Sequence, residues 1–598
     1  MSDPKTSTQT FNIFRNFRRI WRLMVPSEHR RLGLLFVGTI INSFLEILGL
    51  AAVIPVIGLV IEPGLIHSNT YLAEAFQFTH KFGIVTEQGF LMLAACGLII
   101  AFLFKAIFNL ALNLIQTRFA LGIGHRLSGM MWTYHFSQSL ERMRSSESGR
   151  VIEEINRWPL TFSNLFIVGS LRFINELVVI ALISIGLVAY SPIALLAVAI
   201  LIAFGAIIIR NTTKNRLQVI SNIRKKLMPQ TSTAINNAIR GFLEVVSFRA
   251  SNAIRDDYLK KTAQLYRIDG NVQILNLTPS KLYEVLAVAG VSVAIIVSLL
   301  QGDSNEEFLS LLILMALSAY RVMPSMNRIN SQVFGMRSNY FMLNRIEDAL
   351  EELDRTARAS DFEMPAVWPQ AVIHLHNLSV KYEAMAEAVF ENLTWTFEPS
   401  KINAIVGPSG SGKSTLVNSL LGLQPNSQGA VRVGTSMDQL MNLGRSIDTH
   451  TWLAQVGYLS QAPFLFSGSV EENLTMRIPG ASVDKPMALE LIRRLDLTEC
   501  LGRDPMAFKL LEGGNNLSGG QQQRLAILRA LIHKRSVLVL DEATSALDQA
   551  NRDKVFALLR ERANDGTTVV LITHDMEVAV KCDTRLNLNA LKDFGSEG

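Results

Sequence analysis

The sequence predicts a multidomain chain: an all-α transmembrane domain of six helices, followed by an α/β domain built on a P-loop. Three observations predict it. Six stretches before residue 330 are long and apolar enough to cross a bilayer, which needs about 20 residues each. The run Gly407-Pro408-Ser409-Gly410-Ser411-Gly412-Lys413-Ser414 fits GxxxxGK[ST], after an apolar strand pattern at 402–406 and before a helical pattern at 415–423. Only 18% of the 598 residues are charged, against about 25% in typical soluble domains, and 49% are hydrophobic. Mean hydropathy is +0.25.

The elements follow in chain order. Phe11 to Met24 interleaves Arg15, Arg18, Arg19 and Arg22 with Phe14, Phe17, Ile20 and Trp21, the pattern of a helix lying in the membrane interface. It is assigned to a cytoplasmic elbow over 1–31. The transmembrane domain follows over 32–345. Its spans are placed near 32–61, 88–115, 161–190, 192–212, 275–300 and 306–329. The connections on one side, including the Ser191-Pro192 turn, hold a single Lys or Arg, Lys81. The opposite connections carry Arg118, Arg126, Arg142, Arg144, Arg150 and Arg157, then Lys214, Arg216, Arg224, Lys225, Lys226 and Arg240. The positive-inside rule therefore places both termini in the cytoplasm.

The two long cytoplasmic connections, about 116–160 and 213–274, keep helical periodicity and read as extensions of the spans. A short transverse helix is expected at each tip, near 122–132 and 229–236. Ionisable residues inside spans line a cavity or pair with one another. Those residues are Glu46, Lys105, Arg172, Glu176, Lys281, Glu284 and Arg321. For Lys105 and Lys281 the alternative is a side chain that snorkels to the interface.

The net charge of +6 is accounted for by the membrane, whose anionic headgroups attract Lys and Arg, and no nucleic-acid partner is expected. Cys96, Cys500 and Cys582 are too widely spaced for a metal or disulfide pattern, which fits a reducing compartment for the second half. A linker is placed at 346–370. The last domain, 371–598, opens on an alternating strand pattern at 374–380.

In that domain the glycines let backbone N–H groups curl around a phosphate, with the helix N-terminus behind them. Lys413 reaches the β/γ phosphates and Ser414 holds Mg²⁺. Four further signatures follow in order. Leu517-Ser518-Gly519-Gly520-Gln521 leads into Gln522-Gln523-Arg524 and a helix. Val537 to Leu540 is a buried strand ending in Asp541-Glu542. Ser545-Ala546-Leu547-Asp548 comes next. Val569 to Thr573 is a second buried strand, ending in His574.

This ordered set resembles the ATP-binding cassette (ABC) family over about residues 371–585. The resemblance implies ATP and Mg²⁺ as cofactors and an ATPase activity. It implies that Asp541 orients Mg²⁺ and its waters, that Glu542 polarises the attacking water, and that His574 contacts the γ-phosphate. Gln461 matches a glutamine that senses Mg²⁺ and water. Tyr382 matches an aromatic that stacks on adenine; the alternative is a strand tyrosine facing a core. Thr415, Gln521 and Asp548 join the nucleotide-binding set. Ser518, Gly519 and Gly520 would cap a nucleotide held by the opposite subunit, so one cassette per chain implies a dimer. A homodimer is the simplest form, and a heterodimer remains open. The chain after His574, from Asp583 to Asn589, departs from the family's glycine-containing strand pair, so a reduced terminal hairpin is expected.

Membrane domain first and cassette second resembles the type I ABC exporters. Several membrane stretches resemble PglK-type flippases of lipid-linked oligosaccharides: Phe44-Leu45-Glu46 with Ile54-Pro55-Val56-Ile57, Pro279-Ser280-Lys281-Leu282-Tyr283-Glu284, and Tyr320-Arg321-Val322-Met323-Pro324-Ser325-Met326-Asn327-Arg328-Ile329. An external helix near 70–82 resembles one thought to engage the polyprenyl tail. The substrate this implies is a polyprenyl-pyrophosphate glycan, with Arg172, Arg321, Lys105 and Arg210 neutralising its charge. The implied location is a bacterial inner (plasma) membrane. The competing readings are a multidrug, lipid or peptide exporter, and an ATP-gated regulator or channel.

Overall fold

The computed structural model describes residues 13–61, 66, 70–81, 83, 86–190, 192–301, 305–357, 368–382, 387–424, 426–544 and 546–589. Phe82, Ser191, Ser545 and the side chain of Arg210 lie outside the described residues. A helical unit holds the chain to Gln138 and Met143–Arg355, and an α/β unit holds the chain from Thr356 together with Ser139–Arg142.

The helical unit comprises α1 (Ile13–Arg22), α2 (Pro26–Ile61), α3 (Thr70–His80), α4 (Glu87–Phe136), α5 (Leu140–Ser145), α6 (Ser148–Ile152), α7 (Trp158–Phe162), α8 (Gly169–Tyr190), α9 (Pro192–Arg240), α10 (Phe242–Ser247), α11 (Ser251–Gln301), α12 (Asn305–Ser338) and α13 (Tyr340–Ala357). Two π-helical turns, Glu153–Arg157 and Ser163–Val168, join α6, α7 and α8 into one rod. Each of the six apolar stretches lies inside a helix. Among the described residues, three helical stretches are long and apolar enough to cross a membrane: Pro26–Val53, Glu87–Phe136 and Ser148–Gly186. The charged start of the third, through Arg157, precedes the span assigned to 161–190.

Three expectations are corrected. The tips at 122–132 and 229–236 are not separate helices but lie within α4 and α9. Ile123, Leu127, Met131 and Tyr134 keep one buried stripe unbroken along α4, and Pro229 sits inside α9 without ending it. The short helices at the tips are α5 and α10 instead. The stretch from 346, assigned to a linker, stays helical to Ala357, because Ile346, Ala349, Leu350 and Leu353 continue the apolar stripe begun by Leu343. The third correction concerns α1, whose arginines do not all face the interface. Arg19 turns inward, where its Nε donates to Glu347 at 2.6 Å and its guanidinium also reaches Tyr340 and Asn344. Ile20, Leu23 and Met24 pack beside it, while Arg15, Arg18 and Arg22 remain exposed.

Helix α3, which the sequence predicts on the external side, packs its Leu72 and Phe76 against Leu59, Ile66 and Phe90. Phe76 and Phe90 meet edge to face at 5.4 Å.

The α/β unit is built on a parallel sheet of β3 (Ile402–Val406), β6 (Val456–Leu459), β9 (Val537–Asp541), β10 (Thr568–Thr573) and β11 (Thr584–Asn587), in the order β11-β3-β10-β9-β6. An antiparallel sheet of β1 (Val372–Val380), β2 (Phe390–Phe397), β4 (Gln428–Gly434) and β5 (Met441–Asn442) stands beside it, in the order β2-β1-β4-β5. Alternation along the parallel strands divides the core in two. Ile402, Ala404, Leu538, Leu540, Val569 and Leu571 join one cluster, with Leu525 to Leu528 of the helix Gly519–Ile532. Ile405, Val537, Val539, Val570 and Ile572 join the other, with Leu416, Val417 and Leu420 of the helix Lys413–Leu420. The P-loop helix and the signature helix therefore cover opposite faces of one sheet. The segment from Asp583, expected to be reduced, supplies the edge strand β11, which Asp583 starts by accepting the Ile402 N–H at 2.7 Å.

Candidate functional site

Because these strands are parallel, the loops that follow them leave one edge of the sheet, where α/β folds bind ligands. Register decides which loops meet. Val406 pairs with Thr573, Asp541 with Ile572, and Leu459 with Leu540. The P-loop, Glu542, His574 and Gln461 consequently emerge side by side from four neighbouring strands.

Glu542 is the centre of that edge. Gln461 Nε2 donates to its Oε2 at 2.7 Å, and His574 Nδ1 lies 3.3 Å from its Oε1. Its backbone is left-handed, with φ +49°, a conformation that side-chain-bearing residues rarely adopt. Two backbone contacts hold it there: Glu542 N–H donates to Ile572 O at 3.1 Å, and Gln523 Nε2 donates to Glu542 O at 3.1 Å. Gln523 also accepts the Ala546 N–H and is 3% exposed, so it ties the signature helix to the loop behind the carboxylates. The sequence reading gave Gln523 no role. The sequence marks it only as one of the glutamines that follow the glycine-rich motif. At Asp541, burial pushes the carboxyl pKa up, neighbouring Glu542 adds to the rise, and Lys413 opposes it.

The P-loop has the shape a phosphate cradle needs. Gly410 and Gly412 adopt φ +80° and +96°. A Cβ on Gly407 would lie 2.6 Å from Ser411 Oγ. That hydroxyl is buried and has no hydrogen-bond partner among the described residues, a donor available to a phosphate oxygen. Lys413 Nζ donates to the Gly407 and Pro408 carbonyls at 2.7 and 2.9 Å. Ser409 and Ser414 belong to the same loop and helix start. Tyr382 and Thr415 share a hydrogen bond of 3.1 Å through their hydroxyls, which sets the tyrosine beside the P-loop helix. We expect Gly412→Ala, whose Cβ would stand 2.7 Å from Val389 Cγ1 at a positive φ, to weaken binding of a fluorescent ATP analogue about tenfold or more. Unchanged binding would mean that this loop conformation is not required.

Ser518, Gly519, Gly520 and Gln521 begin the signature helix through a capping box. Ser518 Oγ accepts the Gln521 N–H at 3.3 Å and Gln521 Oε1 accepts the Ser518 N–H at 2.8 Å. Asp548 caps the helix Gln549–Asn564, accepting the Asn551 N–H at 2.8 Å. Both segments thus have structural work of their own.

In the helical unit the described candidates Arg172, Arg321 and Lys105 do not form one cluster. Arg321 pairs with Glu46 and lies 3.9 Å from Glu176, which Arg328 Nε binds at 2.6 Å. Two cations and two carboxylates therefore offset one another. Beside them Asn42 bonds Asn109 and Asn175, and Ser43 Oγ donates to Asn175 Oδ1 at 3.1 Å. Arg172 is exposed and takes no part in this network. Lys105 packs its ammonium 5.0 Å from the Phe102 ring centroid, against Gly49. Lys281 pairs with Glu284 at 2.9 Å on an exposed surface.

The edge of the parallel sheet thus brings a phosphate cradle together with a strained, hydrogen-bonded glutamate. Residues 390–545 match the family model described as ABC transporter. Over nearly its whole length the chain has the fold of an ABC exporter. A bacterial Atm1-family ABC exporter with ATP bound matches with a TM-score of 0.74 at 17% identity, covering 93% of each chain. Among curated proteins, the mycobactin import ATP-binding/permease protein of Mycolicibacterium thermoresistibile is 34% identical over 241 residues, 38% of each chain. The cyclolysin secretion/processing ATP-binding protein of Bordetella pertussis is 34% identical over 233 residues, 39% of this chain and 31% of that one. An uncharacterized ABC transporter ATP-binding protein of Sinorhizobium fredii is 25% identical over 391 residues, 63% of each. The matched stretches span less than two thirds of these relatives' lengths.

Proposed function

We propose that the protein hydrolyses ATP to move an amphipathic substrate across a membrane, working as a dimer of two such chains. The observation that carries this reading is Glu542 held between Gln461 and His574 at the sheet edge that also carries the P-loop. A carboxylate so placed can accept a proton from water attacking a γ-phosphate. Gln461 and His574 orient it, and Lys413 neutralises phosphate charge. Ser414, Asp541 and Gln461 are the residues that would hold Mg²⁺, which supplies further charge neutralisation to the phosphates when bound. The dimer is supported by the opposite-face placement of the P-loop and signature helices, which favours Ser518, Gly519 and Gly520 serving a site other than that of their own P-loop. The charge distribution of the connections supports a cytoplasmic cassette, and the presence of both Glu542 and His574 in the one cassette makes a homodimer the simplest form.

The lipid-linked oligosaccharide is the finer substrate reading. Its support is Arg321 in the membrane segment and an external helix with a packed aromatic face. The pairing of Arg321 with Glu46 favours a second reading, export of a less highly charged amphiphile such as a drug, lipid or peptide. One comparison separates them. If Arg321 receives a pyrophosphate, Arg321→Ala lowers glycolipid transport and Glu46→Gln does not. If Arg321 serves only to neutralise Glu46, the double variant transports as well as the unsubstituted protein. Fluorescent glycolipid flipping in proteoliposomes, with nucleotide binding as the control for folding, gives the answer.

A further inference from the structure

A cavity of about 350 Å³ lies where the elbow helix α1 meets α2 and α8. Its walls include Phe17 and Trp21 of α1, Leu32 and Phe36 of α2, and Leu171 and Ile174 of α8, and it is almost wholly apolar. Gly33 opens it further, since a Cβ built there meets no atom within 4 Å. An apolar hollow beside a membrane span suits an acyl chain better than water.

The polar rim of α1 differs from its inner face. Arg19 is buried and neutralised by Glu347, whereas Arg18 and Arg22 are exposed and have no ion pair among the described residues. Arg18 and Arg22 are one turn apart, and each immediately follows a cavity-lining aromatic, Phe17 and Trp21. At about 100° per residue, Arg18 and Arg22 share the face of α1 next to the one that lines the cavity. Trp21 stacks on His29 at 4.1 Å with the planes 9° apart, and His29 Nε2 lies 3.0 Å from Trp21 O. Those contacts fix the turn between α1 and α2, and with it one wall of the cavity. Trp21 itself is 48% exposed, in the position of an interfacial aromatic.

We propose that this cavity is a binding site for an anionic phospholipid, with one acyl chain between α1, α2 and α8 and the headgroup phosphate on Arg18 and Arg22. Charge complementarity selects the occupant. Two unpaired guanidinium groups favour a phosphate whose charge a choline does not cancel, and bidentate contacts suit its oxygens. A free anion lacks the chain that the cavity accepts.

The test is native mass spectrometry of the full chain purified in detergent and titrated with phosphatidylglycerol or with phosphatidylcholine of identical acyl chains. The unsubstituted protein should retain phosphatidylglycerol preferentially. Arg18→Glu/Arg22→Glu should lower that retention by about tenfold or more and abolish the preference. Gly33→Leu places a side chain in open space, so it is compatible with folding. It should lower retention of both lipids. Equal retention of the two lipids by the unsubstituted protein would overturn the proposal. So would unchanged phosphatidylglycerol retention in both variants, each shown to be monodisperse and to bind nucleotide.

Discussion

Glu542→Gln is expected to lower ATP hydrolysis by about 10²–10⁴-fold while leaving ATP affinity nearly unchanged. The amide keeps the size of the carboxylate and can still meet Gln461 and His574, but it cannot accept the proton of an attacking water. The left-handed backbone at Glu542 is held by Ile572 and Gln523, and neither contact uses the side chain. The substitution therefore isolates chemistry from geometry. Phosphate release by the purified protein, measured with equilibrium binding of a fluorescent ATP analogue, checks both halves. Hydrolysis within tenfold of the unsubstituted rate would move the base to another residue. Loss of binding would show that the loop had collapsed.

The second large effect belongs to Glu154. This carboxylate is 0% exposed in the π turn Glu153–Arg157, before the third span. Its Oε2 receives Arg345 Nε at 2.9 Å and lies 3.0 Å from His135 Nε2, and its Oε1 receives Arg150 Nε at 2.8 Å. Arg345 also stands over the Tyr134 ring, and Tyr134 donates to Glu352 at 3.1 Å. One acid thus ties α4, the π turn and α13 together. Burial alone would raise its pKa, but the hydrogen bond from His135 and the charges of Arg345 and Arg150 prevail and lower it to about 2.

A pKa below the ordinary carboxylate value means that the folded state favours the ionised form. The stabilisation is complete above about pH 4.5 and is lost as pH falls towards about 2. Glu154→Ala would leave the partly buried Arg345 without its counter-charge, at a cost of about 3 kcal/mol, while the exposed Arg150 would turn to solvent. Recovery of monodisperse protein after heating should fall sharply at neutral pH. A variant as heat-resistant as its parent would refute the role assigned to this acid.

The cassette was legible in the sequence to an unusual depth. Its site is made of short motifs that each follow a buried strand, and parallel pairing then forces the motifs together. Val406, Leu459, Asp541 and Thr573 end adjacent strands, so Gln461, Glu542 and His574 converge without any long-range guess. Gln523 escaped notice because its role depends on a backbone carbonyl, which no motif records. The membrane half was legible only as spans. Apolar windows locate helices but not their ends, so α4 and α9 run through the places where tips were expected. Side-chain partners were less visible still. Glu46 and Arg321 read in the chain as ionisable residues that line a cavity or pair, but that these two meet depends on how two distant helices pack.

The central claim is that hydrolysis drives movement of a substrate. The most direct measurement follows ATP consumption and the transbilayer movement of a fluorescent polyprenyl-pyrophosphate glycan, or of a fluorescent phospholipid, in the same proteoliposomes. The account predicts that one of these amphiphiles crosses only with ATP, stimulates hydrolysis, and stays in place with Glu542→Gln. Hydrolysis indifferent to every amphiphile tried, or crossing that continues in the Glu542→Gln protein, would contradict it.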